Sequence, residues 1–153
     1  MGVNYPKVSP INLAVQQCNM SRRYKSVIDK CTISNGKFTC VIDLKPSIHS
    51  CIYKVLIEYK TSDYSPKAWL LSPELEKVNG KYPHHIYGFD ANRNGSPRLC
   101  VFYPGYNEWR KDMLISESFV PWILSWLNTY EYWLITGKWF YDESPSPITK
   151  KSH

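Results

Sequence analysis

The sequence predicts one α+β domain, in which an antiparallel meander of about four strands is flanked by an N-terminal helix and a buried C-terminal helix. The length of 153 residues suits a single core. Successive short segments between residues 37 and 71 alternate apolar and polar side chains and are separated by turn residues, which is typical of antiparallel strands. Aromatic residues recur at helical spacing near the C-terminal end, which indicates a packed helix.

The chain starts with an extended lead and a short helix. Residues 1–9 form the lead. Between Ile11 and Tyr24 the apolar residues recur with a helical period, which predicts the opening helix. Its two apolar sides are formed by Leu13, Gln17 and Met20 and by Ile11, Val15 and Cys18.

Three segments with a period of two follow the helix. They are Lys37–Lys45, Cys51–Tyr59 and Lys67–Leu71, and prolines or turn residues bound them. The stretch Val27–Ile33 can add one more strand, since the turn signal Asn35-Gly36 would join it to the first segment as a hairpin.

Residues 82–104 interrupt this regular pattern. The run Asp90–Pro97 is rich in Asp, Asn, Gly and Ser, which favours a loop. After it, Arg98–Tyr103 is predicted to be a brief strand that stops at Pro104.

The last predicted element is an apolar helix. Ser118 is placed to cap its N-terminus, Pro121 suits the first turn, and Gly137 suits the C-terminal stop. Residues 142–153, with two prolines and two lysines, are predicted to be a loose tail. We assign five tryptophans to the core: Trp109, Trp122, Trp126, Trp133 and Trp139.

Composition excludes several function classes. The five cysteines are odd in number, contain no Cys-x-x-Cys pair, and lie in no zinc-like spacing with the four histidines, so we expect no metal and no cofactor. The chain shows no apolar leader and no apolar run of about 18 residues, so we expect a cytoplasmic protein with free thiols and no membrane contact. We read Cys18, Cys31, Cys40 and Cys51 as unreactive packing residues.

The net charge of +6 is spread over the chain. Arg22, Arg23 and Lys25 form one small cluster, and no run has the density of a nucleic-acid arm. A solvated basic surface is therefore the better interpretation, and nucleic-acid binding ranks lowest among the possible functions.

Motifs in the second half of the chain carry a family resemblance. In order, they are Pro83-His84-His85, a polar loop with Gly95, Leu99-Cys100-Val101-Phe102-Tyr103-Pro104, Pro121-Trp122, Tyr130-Glu131-Tyr132-Trp133 and Thr136-Gly137-Lys138-Trp139. They resemble the ubiquitin-conjugating enzymes, and more closely the bacterial E2-like proteins of type II CBASS, the cyclic-oligonucleotide antiphage operons. The resemblance covers roughly residues 37–141, and its ending is the most specific part. The His-Pro-Asn of the eukaryotic enzymes is absent.

The resemblance implies a ubiquitin-conjugating-like fold and a thioester reaction at Cys100. The acyl group would be the C-terminus of a cGAS-like nucleotidyltransferase, passed to an acceptor amine to prime cyclic-nucleotide signalling. The chain has no Gly-rich nucleotide loop, so the activation of that carboxylate would come from elsewhere.

The chemistry of a thioester carrier suggests roles for other residues. Strand alternation puts Arg98 and Cys100 on one face, where the guanidinium would favour the thiolate. We expect the sulfur to be open at the rim of a cleft. By residue type alone, a cysteine in a short apolar strand is more often a buried packing residue.

The remaining candidates each have a structural alternative. His84 or His85 would donate a hydrogen bond across the site, or would only hold the loop in place. Asn92 and Asn94 would supply an oxyanion donor, or would only form the turn. Asp90, or a dry pocket, would help the acceptor amine lose its proton.

A rival function is an inactive E2-like adaptor that binds the nucleotidyltransferase without chemistry. The retained cysteine argues against this alternative, and the missing His-Pro-Asn argues for it. If the Cys100 sulfur is sealed inside the core, with no approach for a flexible peptide tail, the enzymatic hypothesis fails and only the adaptor remains.

Overall fold

The computed structural model describes residues 8–102 and 108–139. The predicted tail 142–153, most of the predicted lead, and Tyr103 at the end of the last predicted strand lie outside these ranges. In chain order, the elements are helix α1 (Leu13–Arg23), strands β1 (Ile28–Ser34), β2 (Lys37–Leu44), β3 (Tyr53–Tyr59), β4 (Lys67–Ser72) and β5 (Ile86–Asp90), a 3-10 turn (Ala91–Arg93), strand β6 (Ser96–Leu99) and helix α2 (Phe119–Thr136).

The strands form one antiparallel sheet in the order β1-β2-β3-β4-β6-β5. The α+β prediction is confirmed, whereas the prediction of about four strands is wrong, because the sheet has six strands within the described residues. Strand β5 was missed, and β6 lies earlier than the predicted strand Arg98–Tyr103, with which it shares Arg98 and Leu99. Both strands are short and adjoin the polar run Asp90–Pro97 that favoured a loop. That run is the connection of their hairpin, in which Asn94 and Gly95 take left-handed φ values of 55° and 74°.

The first hairpin follows the predicted pattern closely. The sequence indicates a further strand at Val27–Ile33, and β1 occupies nearly that range. Asn35 and Gly36 make the two-residue turn with φ values of 52° and 71°, a conformation that Asn and Gly tolerate best. Every second side chain of β2 is buried, and Cys40 is one of them, so its predicted packing role is confirmed.

Helix α1 is tied to the core by a buried glutamine. The side chain of Gln16 donates to the Met113 carbonyl (3.0 Å) and accepts from the Ile115 amide (2.9 Å). A buried polar group is stable only with such partners, and here both ends of the amide have one. Val15, which was predicted to lie on an apolar face, is exposed.

Helix α2 covers the sheet with its aromatic side. Gly137 ends it with a φ of 71°, and its amide donates to the Trp133 carbonyl (2.8 Å), as the sequence predicted. Ser118 occupies the N-cap position but does not cap the helix, because its hydroxyl donates back to the Leu114 carbonyl (2.7 Å). Trp122 is only partly buried, whereas the other four tryptophans assigned to the core are buried. Neither α1 nor α2 has the length and hydrophobicity that crossing a bilayer needs.

Candidate active site

Cys100 directly follows strand β6 at the end of the β5–β6 hairpin. Its amide donates to the His85 carbonyl (3.1 Å), which continues the hairpin ladder one residue beyond the strand. Its sulfur lies 3.7 Å from the Phe102 carbonyl oxygen. The residue is 0% exposed, so the expectation of a sulfur open at the rim of a cleft is wrong for this conformation.

Burial also governs the acidity of this thiol. It raises the pKa of Cys100, while a hydrogen bond from the Tyr87 side chain, the backbone at Phe102 and the positive charge of Arg98 lower the pKa without reversing the shift. A thiol with a raised pKa is protonated at neutral pH and is a poor nucleophile. The site therefore holds a buried, protonated cysteine beside groups that lower its pKa.

Tyr87 is the neighbour that sequence reasoning missed. The register between β5 and β6 shifts between Ile86 and Gly88, so Tyr87 is the additional residue of a β-bulge. A bulge redirects the side chain of the inserted residue, and here the Tyr87 side chain lies near enough to the Cys100 thiol to lower its pKa. Gly88 completes the bulge with a φ of 117°, which a side chain rarely allows. The glycine within the partly apolar run Ile86–Phe89 was the available signal.

The Tyr87 ring also contacts Arg98. The guanidinium carbon of Arg98 lies 4.3 Å from the ring centroid, a cation–π arrangement. Burial, followed by the contact with Cys100, raises the pKa of Tyr87, so the hydroxyl keeps its proton and can donate it. Within the described residues, the buried Nε of Arg98 makes no hydrogen bond. The structure thus brings Arg98 and Tyr87 to the sulfur, and 38% of Tyr87 faces solvent.

The two histidines occupy different environments. His85 is buried, its ring stacks on Trp139 with centroids 5.0 Å apart, and its carbonyl accepts from Trp126 Nε1 (2.8 Å) as well as from Cys100. It therefore joins the hairpin to α2, in agreement with the loop-holding alternative. His84 is exposed and lines a cavity of about 230 Å³ beside Trp133.

Asn92 and Asn94 lie at the other end of the hairpin. Asp90 pairs with Ser96, which precedes Cys100 by four residues of extended chain, about 13 Å. Both asparagines are exposed at that turn, and Asn92 donates its amide to Asp90 Oδ1 (2.9 Å). The structure therefore does not bring either predicted oxyanion donor to the thiol, and it gives both a turn-forming position.

Asp90 belongs to a network of charged and polar side chains, and it is not placed to act as a base at Cys100. One carboxylate oxygen accepts from Arg93 Nη1 (2.8 Å) and from Trp69 Nε1 (3.1 Å). Desolvation would raise the pKa of Asp90, but these bonds and the Asn92 amide hold the pKa below its ordinary value. Arg93 also binds Glu58 with two nitrogens (3.2 and 2.6 Å).

The other cysteines are less uniform than predicted. Cys18 and Cys51 are exposed, so a packing role is wrong for them, and Cys31 is half-buried opposite Cys40. Across residues 8–102 and 108–139, no three His, Cys, Asp or Glu side chains group closely enough to hold a metal ion.

The fold and the site define a small α+β protein whose candidate reactive thiol follows a short sheet strand. A comparison with protein families matches residues 16–147 to the family described as Type II CBASS E2 protein. The match covers most of the chain, including Cys100 and all six strands, so the chain belongs to this family. A search of curated proteins finds no match.

Family membership fixes the general role. The protein acts in CBASS signalling, an antiviral defence, and associates with the machinery that the operon encodes. E2 membership indicates a conjugating type of role.

Proposed function

We propose that the protein is an E2-like acyl transferase in which Cys100 forms a thioester with the C-terminal carboxylate of a cGAS-like nucleotidyltransferase. It then passes that acyl group to an acceptor amine. The observation that supports this most directly is the position of Cys100, in a member of the CBASS E2 family, beside a hydroxyl donor and a guanidinium. Both neighbours favour the thiolate that such chemistry needs.

The reaction has two steps. The Cys100 thiolate attacks the carbonyl carbon of a carboxylate that a separate protein has activated, and the activating group leaves with the electron pair of its bond to that carbon. The acceptor amine then attacks the thioester carbonyl, the C–N bond forms as the C–S bond breaks, the amine proton passes to solvent, and the thiolate is released. Tyr87 and Arg98 assist each step in which sulfur carries negative charge, because a donated hydrogen bond and a nearby cation both stabilise a thiolate.

The proposal requires that the sulfur become accessible when the partners bind. The Tyr87 side chain lies near enough to the thiol to lower its pKa and has part of its own surface in solvent. A change of its side-chain rotamer would uncover the sulfur while β5 and β6 stay paired. Such a requirement protects the free protein from unproductive reactions, since a buried thiol reacts slowly.

The alternative function is an adaptor that binds the nucleotidyltransferase without chemistry. The burial of Cys100 and its raised pKa favour this alternative. The absence of a His-Pro-Asn and the distance of Asn94 from the thiol favour it as well.

A reconstitution with the operon's nucleotidyltransferase and an activating protein separates the two functions. The samples are run on a gel without reductant, and a parallel sample is treated with neutral hydroxylamine, which cleaves thioesters and leaves disulfides intact. The enzyme predicts an adduct that hydroxylamine removes, that is absent in Cys100→Ala, and that Cys100→Ser replaces by a reductant-stable ester. Cys51→Ala is the matched control, because Cys51 is exposed and lies outside the site.

The adaptor predicts a different result. Wild type and Cys100→Ala would bind the nucleotidyltransferase equally in gel filtration, and no adduct would form under any condition. An adduct that persists in Cys100→Ala would contradict both assignments of this cysteine.

A further inference from the structure

The first hairpin holds a second pair of thiols, remote in sequence from Cys100. Cys31 of β1 and Cys40 of β2 are directly opposed in the register of the two strands. Directly opposed residues of an antiparallel pair point to the same face of the sheet. Cys40 is fully buried in the core, and Cys31 is half-buried beside it.

The turn determines what kind of pair this is. Ser34 and Lys37 flank the two-residue turn and are Cα partners, so they form the hydrogen-bonded pair that closes it. Hydrogen-bonded and non-hydrogen-bonded pairs alternate along an antiparallel ladder. Three pairs further from the turn, Cys31 and Cys40 therefore form a non-hydrogen-bonded pair.

This position suits a covalent link between the two sulfurs. Opposed residues in a non-hydrogen-bonded pair have Cα atoms about 4.5 Å apart. Disulfides span Cα separations of roughly 4.4–6.8 Å, so the bond can form with little movement of the backbone. We propose that Cys31 and Cys40 are a redox-active thiol pair that hydroperoxides convert reversibly into a cross-strand disulfide.

The electrostatics of the pair assign different roles to its members. Hydrogen bonding from Cys40, helped by Ser21 and opposed by burial, lowers the pKa of Cys31 to about 7. The hydrogen bond with Cys31, followed by burial, raises the pKa of Cys40. Cys31 is thus the thiolate that meets an oxidant, and Cys40 is the thiol that resolves the product.

The chemistry balances with a hydroperoxide as the oxidant. The Cys31 thiolate attacks the peroxide, the O–O bond breaks, Cys31 sulfenic acid forms, and hydroxide leaves from hydrogen peroxide or alkoxide from an organic hydroperoxide. The Cys40 sulfur then attacks the sulfenic sulfur, water leaves, and the S–S bond forms. A dithiol reductant then exchanges with the disulfide, returns both cysteines to thiols and is itself oxidised to a disulfide.

A cysteine-reduced variant tests this pair directly. Cys18→Ser, Cys51→Ser and Cys100→Ser together leave Cys31 and Cys40 as the two cysteines of the chain. The folded variant is treated with hydrogen peroxide at pH 7, quenched, unfolded and labelled with N-ethylmaleimide, and its intact mass is measured. Trypsin cleaves after Lys30 and Lys37, so the two cysteines fall on separate peptides.

The expected product takes up no maleimide, has lost two hydrogens, and yields one reductant-sensitive peptide linking Cys31 to Cys40. The matched control retains Cys18 and Cys51 in place of this pair, and we expect its intramolecular disulfide to form at least about tenfold more slowly. A variant that retains two labels after peroxide, or that links separate chains, overturns the proposal. Oxidation of Cys31 to the sulfinic acid while Cys40 remains a free thiol would also overturn the proposal. None of these outcomes depends on the thioester function.

Discussion

The hairpins β1–β2 and β5–β6 have similar turns but give their cysteines different neighbours. Both reverse direction through an Asn-Gly pair in the left-handed region, and both carry a buried cysteine. In the first, the ladder is regular from the turn to Cys40, whose neighbour is a second thiol. In the second, a bulge inserts Tyr87, so Cys100 has a hydroxyl for a neighbour.

This difference shows that two buried cysteines differ in their possible chemistry because different side chains lie beside them. A thiol opposite a second thiol can form a disulfide. A thiol beside a hydroxyl and a guanidinium has neighbours that stabilise its thiolate, both as an attacking group and as a leaving group. In the free protein, the more acidic thiol is Cys31 and not the candidate catalytic residue.

The largest expected effect is a contrast in alkylation rate. The hydrogen bond with Cys40 lowers the pKa of Cys31 to about 7, so its thiolate is available at pH 7, and the residue is half-buried. Cys100 is fully buried and protonated, so we expect iodoacetamide to modify it at least about a hundredfold more slowly than Cys31. Timed labelling with peptide mass spectrometry measures both rates in one sample, with Cys18 and Cys51 as exposed references. Equal alkylation rates at Cys31 and Cys100 would show that the two hairpins do not give their thiols different reactivity.

The next effect tests the hydroxyl that distinguishes the second hairpin. Tyr87→Phe keeps the ring beside Arg98 and removes the hydrogen bond to the thiolate. A hydrogen bond to a charged group contributes about 1.5–3 kcal/mol, so we expect thioester formation to slow by roughly 10- to 100-fold and its pH profile to move upward. Tyr82→Phe is the control, because Tyr82 is exposed to the same degree, 38%, and packs on Phe89. An unchanged pH profile in Tyr87→Phe would remove Tyr87 from the mechanism.

A smaller effect concerns the bulge itself. Gly88→Ala meets no steric contact at the added carbon, but its φ of 117° is strained for any side chain. We expect a loss of about 1–2 kcal/mol of unfolding free energy, or a Tm lower by roughly 3–8 °C. Faster alkylation of Cys100 with an unchanged rate at Cys31 would show that the bulge shields the thiol. Thermal melts and timed labelling supply the two measurements, and an unaltered Tm would mean that the backbone relaxes without cost.

The smallest effect lies in the anchoring of the second hairpin's turn. Desolvation raises the pKa of Glu58, but Arg93 and Lys37 lower it further, so the net pKa lies below the ordinary value of 4.5. A depressed carboxyl pKa contributes stability that is complete above the unfolded pKa and is lost as pH falls through the folded pKa. We expect Tm to drop by a few degrees more between pH 6 and pH 3 in wild type than in Glu58→Gln. Parallel slopes in the two proteins would show that the Arg93 network adds no stability.

The sequence by itself determined the elements with strong periodicity. The strands β2 to β4, the Asn35-Gly36 turn and the Gly137 stop follow from local preferences, because each residue there acts on its own backbone or on near neighbours. The motif order around Cys100 and Trp139 also indicated the family that the comparison matched.

The site depended on contacts that no local pattern encodes. Asn94 and Cys100 are six positions apart in sequence, yet the hairpin places them at opposite ends. Tyr87 reaches the thiol only because a register shift in β5 redirects it, and Cys31 meets Cys40 only because the two-residue turn fixes the ladder. The sequence specified which chemical groups are present, and tertiary pairing decided which of them meet. The physical reason is that register and burial are properties of two strands together, so neither strand carries that information alone.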